Sequence, residues 1–138
     1  MVGHATRPIL DALILDRMED ETQRAIASIE RTIEASQALR ANLRSGEAIG
    51  RQMIQKLRSG TPVSQAVIAT GAEPSQLRKN ANTLLAEFED CRHAMRLAFI
   101  GPSITEGMTI SQIGRDLGVS RQLAARLAKE ARDASPAP

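Results

Sequence analysis

The stretch TISQIGRDLGVSRQLAARLAK, Thr109 to Lys129, decides how this chain is read, because two amphipathic runs in it flank a lone glycine. Thr109 and Gln112 have the T-x-x-Q spacing of a capping box, so a helix is expected to start there. Ile113 and Leu117 stand four apart and face inward. Gly118 ends the helix, since a residue without Cβ takes a positive φ at no steric cost. Val119 plugs the turn, and Ser120 is suited to cap a second helix. In that second helix Leu123, Ala124, Leu127 and Ala131 point inward. Gln122, Ala125, Arg126, Lys129 and Arg132 point outward, with Arg121 in the first turn. Gly114 falls where the second helix crosses the first, and only a very small side chain permits the approach.

This spacing resembles the helix-turn-helix family of DNA-binding domains, and within it the units of bacterial sigma-factor region four and of resolvase C-terminal domains. Counted from Ile110, the residues Ile113, Gly114, Leu117, Gly118, Val119 and Leu127 fall where the family has apolar, small, apolar, glycine, apolar and apolar positions. The resemblance is confined to residues 109–131, and Ala124 departs from it where the family more often has a β-branched residue. It implies that the second helix enters the major groove. Arg121, Gln122 and Arg126 then become base readers, Arg suiting guanine and Gln adenine, while Ala125 allows close approach or touches a thymine methyl. Ser120, Lys129, Arg115 and the more distal Arg132 are placed for the backbone of the duplex. The rival reading is a helical hairpin whose solvated face happens to be basic.

Charge supports the first reading. The net charge of the 138 residues is only +2, but it is unevenly spread. Met1–Glu34 carries −3, Arg40–Arg58 carries +4 and Gly107–Arg132 carries +3, which places local basic footprints as a polyanion partner requires. The only aromatics are Phe88 and Phe99, too few for the stacking platforms of single-strand and RNA readers. Cys91 is the sole cysteine, so no internal disulfide forms, and a cytoplasmic, nucleoid-associated location is expected. PILDALIL near the start is too short to span a bilayer and contains Asp11, so no membrane partner is expected.

The chain reads as all-α, with no period-two segment. A long N-terminal helix is expected from Pro8 to Arg44, and a short one from Glu47 to Arg58, each closed by an RSG signal. A short piece should follow from Pro62 to Thr70, then a helix from Pro74 to Ile100 with Leu77, Leu84, Phe88, Cys91, Met95 and Phe99 on one face. Gly101–Pro102 then reads as the start of the terminal unit. The implied division is 1–60 as a dimerisation stem, 61–101 as a helical middle region, 102–134 as the DNA-binding unit, and 135–138 as a disordered tail. Ile26, Ile29 and Ile33 form a narrow stripe whose register continues to Leu43, as in a dimeric coiled coil or a rod of a bundle. A homodimer is expected.

Upstream, VSQAVIATGAEPSQL (Val63–Leu77) echoes ISQIGRDLGVSRQL. As a degenerate second helix-turn-helix it makes Arg78 and Lys79 a candidate second DNA contact, although Ala66 and Thr70 occupy positions that should be solidly apolar. No metal, cofactor or small-molecule ligand is expected. Cys91 and His93 are two apart and do not share a helix face, and the acidic run Asp16, Glu19, Asp20 and Glu21 lacks loop spacing and glycine. No nucleophile–base pairing or phosphate loop presents itself, so the chain does not read as an enzyme. The expected function is sequence-specific binding of double-stranded DNA, as in a small bacterial or phage transcriptional regulator. The alternative is a helical adaptor whose acidic N-terminal helix binds a protein.

Overall fold

Helix α1, Thr6–Arg58, passes through Gly46 without a break, so the first RSG signal does not end it. Each glycine inside a helix costs about 1 kcal/mol relative to alanine. Here the partial burial of Ile49 between Gly46 and Gly50, and of Met53 beyond them, outweighs that cost. The second signal does stop the helix. Gly60 takes φ 101°, its N–H reaching Leu57 O and the next N–H, from Thr61, reaching Lys56 O, which satisfies the last carbonyls. The expected pair of helices, Pro8–Arg44 and Glu47–Arg58, is therefore one.

This computed structural model describes residues 6–134, and the tail expected to be disordered lies outside them. After α1 come two single 3₁₀ turns, Val63–Gln65 and Ile68–Thr70, then α2 (Pro74–Thr105), α3 (Ile110–Leu117) and α4 (Arg121–Ala134). Among the described residues the fold is all-α, and no helix is long and apolar enough to cross a membrane. Helix α2 starts at Pro74 as expected but runs on through Gly101–Pro102, which is not a helix start. Pro102 removes one backbone donor. Burial of Ile100 and packing of Ile104 in the core on either side hold the helix together across that gap.

The chain clusters into two compact units, one formed by the chain up to Glu30 and from Arg92 onward, the other by Arg31–Cys91. Both long helices pass from one unit to the other. In the Arg31–Cys91 unit, the half-buried positions of α1 include Thr32, Ala35, Leu39 and Asn42, and those of α2 are Leu77, Ala81, Leu84, Phe88 and Cys91. The Thr32 hydroxyl donates to Cys91 O at 3.2 Å. Both runs step by three and four residues, as helices packed side by side require. Ile33 is not on that seam and stays 51% exposed. The upstream echo keeps its glycine turn, with Gly71 at φ 80°, and the short piece before it consists of two 3₁₀ turns, unlike the α-helix α3 at the equivalent place of the downstream stretch. Ala66 is buried there although its side chain is small.

In the other unit, α2 contributes its last turns to a core with α3 and α4. Ile100, Ile113, Leu127, Ala128 and Ala131 are buried, and Leu97, Ile104, Met108, Ile110, Leu117 and Leu123 pack around them. Leu97, ahead of Gly101–Pro102, already packs on this core. Phe99, expected on the inner face of α2, is exposed, and its neighbour Ile100 is buried in its place. On α1 the buried residue is Ser28, while Ile26 and Ile29 remain on the surface.

Candidate nucleic-acid interface

Helix α3 is fixed at both ends by its own sequence. Gln112 N–H donates to Thr109 Oγ1 at 3.2 Å, and Thr109 N–H to Gln112 Oε1 at 2.9 Å, closing the capping box. At the far end Gly118 takes φ 66°, with its N–H on Arg115 O and that of Val119 on Gly114 O. A β-carbon here would be strained whatever the surrounding space. Ser120 then caps α4, its Oγ accepting from Leu123 N–H at 3.1 Å. Three residues, Gly118 to Ser120, separate the two helices.

Their crossing depends on small side chains. A β-carbon on Gly114 would lie 3.2 Å from Val119 O, 3.5 Å from Ala124 Cβ and 3.7 Å from Ser120 O. Ala124 is fully buried at that crossing, which explains why the position does not hold a larger β-branched residue. Leu127, Ala128 and Ala131 complete the inner face of α4. Ala128 was not foreseen as buried. An alanine carries no polarity that would mark it as inward, and only the core around it does so.

With that face committed, the opposite one is fixed. Arg121, Gln122, Ala125, Arg126, Lys129 and Arg132 are all exposed on α4, as are Ser120 in the turn and Arg115 on α3. Among the described residues, none of Arg115, Arg121, Arg126, Lys129 and Arg132 has a carboxylate within ion-pairing distance. Of the acidic residues in this stretch, Asp116 and Asp133 are exposed, and Glu130 is turned to α2, where His93 Nε2 lies 2.7 Å from its Oε1. This pair spans 37 residues of sequence, so spacing could not have signalled it. The amides of Arg121 and Gln122, ahead of the first intrahelical bond, add the positive end of the helix dipole to the same surface.

The arrangement therefore presents cations and one amide side chain on a rigid, single-faced helix, beginning at its positive end. Such a surface suits a regularly spaced polyanion, with Gln122 and the arginines carrying planar, bidentate hydrogen-bonding groups. Arg78 and Lys79 are exposed too, but on α2 in the Arg31–Cys91 unit. Cys91 is half-buried on the α2 seam, and among the described residues no three His, Cys, Asp or Glu side chains converge as metal ligands do. Comparison with protein-family models, with curated proteins and with solved structures found no match for the chain, so any reading of its function rests on this geometry.

Proposed function

We propose that the chain is a sequence-specific double-stranded-DNA-binding protein, a small bacterial or phage transcriptional regulator that reads the major groove with α4 as a helix-turn-helix recognition helix. The observation that carries this reading is the outer face of α4, where Arg121, Arg126 and Lys129 are exposed and have no carboxylate partner among the described residues. What sets these side chains apart is their place at the start and on the outer face of the second helix of the α3–turn–α4 pair. In this reading Arg126, Arg121 and Gln122 contact base edges and Ala125 lets the helix approach. Ser120, Arg115, Lys129 and Arg132 hold phosphates, and a homodimer presents two such helices to two half-sites.

Electrophoretic shift of a random-sequence duplex at 50 and 200 mM salt tests the electrostatic part. Binding is expected at the lower salt, with affinity falling by about 10³-fold or more at the higher if six or more phosphates are engaged. Absence of any shift at 50 mM contradicts the proposal.

One observation favours a second reading. Every residue of α1 from Thr6 to Asp20 is exposed, including Ile9, Leu10, Leu13, Ile14, Leu15 and Met18. So many large apolar side chains left exposed on one helix call for a partner, and an adaptor would bury them in another protein. Capture of a foreign protein by α1, together with no duplex binding, would select that reading.

A further inference from the structure

One cleft lies wholly inside the Arg31–Cys91 unit, between the second half of α1 and the start of α2. Its volume is about 720 Å³, room for several side chains. Leu43, Ile49 and Met53 of α1, with Val67, Leu77 and Ala81 beyond it, make the walls mostly apolar. Gly46 and Gly50 line it too, and a β-carbon on either would meet nothing within 4 Å among the described residues. No contact inside the unit requires these glycines, yet their missing side chains keep the cleft open. Charge there is unbalanced. Glu47 is paired with Arg51 at 3.6 Å, while Arg78 lines the cleft with no carboxylate partner among the described residues. Lys79 follows Arg78, and Arg40–Arg58 carries +4. An occupant that matches this cleft is apolar on one face and acidic at its edges.

The same chain carries such a segment. Every residue of α1 from Thr6 to Asp20 is exposed, and Leu10, Leu13 and Ile14, 55–58% exposed, share one face by steps of three and four. Ile9 and Met18 border that face, which leaves Leu15 alone on the opposite side. At about 100° per residue, Asp11 and Asp16 stand at its two edges. Arg17, next along it, is held by Glu21 at 3.6 Å. From Thr6 to Asp20 there are four carboxylates against two arginines, a charge of −2.

We infer that this segment of a second copy fills the cleft, as a helix laid in a groove. Leu10, Leu13 and Ile14 enter the apolar walls, and the carboxylates face Arg78 and Lys79. The occupant comes from another chain because segment and cleft wall both belong to the one unbroken helix α1. No turn of a continuous helix folds back onto a later turn of itself. Exchanged both ways between two chains, the contact closes the homodimer proposed above, on which this inference rests. It does not depend on DNA binding.

Two variants of the full chain test it. Leu13→Glu spoils the segment and leaves the cleft intact, whereas Gly46→Glu puts bulk and a like charge into the cleft and leaves the segment intact. Both positions are exposed and glutamate is a good helix former, so circular dichroism should show the parent's helicity. By light scattering at high micromolar concentration, the parent is expected as a dimer and each variant alone as a monomer. Mixing the two restores association, more weakly, because the intact segment of one meets the intact cleft of the other. A variant that stays dimeric alone would overturn the inference, as would a mixture that scatters as monomers at every concentration. A monomeric parent would overturn it together with the homodimer. Duplex shifts of the same samples keep the two proposals apart. A monomeric parent that still shifts duplex leaves the reading of α4 in place, and a dimeric parent that shifts none overturns that reading alone.

Discussion

Gly114→Leu is expected to destabilise the unit built by α3, α4 and the end of α2 by about 1–3 kcal/mol, and to remove duplex binding with it. The first added carbon already sits 3.2 Å from Val119 O, which belongs to the turn and has little freedom to retreat. The remaining carbons of leucine would enter the space that Ala124 fills. Gly114→Ala separates packing from backbone effects. It gains about 1 kcal/mol in helix propensity against one tight contact, so its melting temperature should stay close to that of the parent. Thermal melts followed by circular dichroism would show the contrast. Equal stability of the two variants would mean that the helices do not cross at Gly114, and the assignment of α4 as a recognition helix would lose its geometric basis.

Arg126→Ala and Lys129→Ala are expected to fail in different ways. Both side chains are exposed on α4, yet a guanidinium pairs bidentately with guanine O6 and N7, whereas an ammonium one turn later acts as a point charge near a phosphate. Loss of Arg126 should cost about 1–3 kcal/mol on a selected duplex and flatten preference at one base pair. Loss of Lys129 should weaken selected and random duplexes alike, and lower the salt slope by about one unit. Titrations of both variants against both duplexes at several salt concentrations check this. If the two lose affinity equally on both duplexes, neither residue reads bases. If neither variant changes affinity, the basic face is solvated surface only.

The parts of this fold legible in the sequence are those set by local chemistry. Thr109, Gln112, Gly118 and Ser120 each act through neighbours three or four residues away, and each makes the predicted contact. Gly114 was legible for a related reason, because a glycine inside a strong helical pattern must permit a close approach. Signals that tertiary packing can override were misread. Gly46 and Gly101–Pro102 carry local breaking signals, but the helices continue because burial beyond them outweighs a glycine or a missing donor. The stripe at Ile26, Ile29 and Ile33 suits a dimeric coiled coil or a bundle rod, and within its own chain α1 instead buries Ala25, Ser28 and Thr32 in part or whole, which the apolar pattern does not mark. Small residues there allow close packing while carrying almost no hydrophobic signal. Contacts between distant segments, such as His93 with Glu130, leave no periodic trace at all.

The central claim is that the outer face of α4 touches duplex DNA, and an NMR titration addresses it residue by residue. Amide resonances of the full chain would be followed as a site-selected duplex is added at low salt. The account predicts shifts concentrated at Ser120, Arg121, Gln122, Ala125, Arg126 and Lys129, with smaller ones near Arg115, and little change from Ile9 to Met18. Shifts confined to α1, or none at saturating duplex, would contradict it.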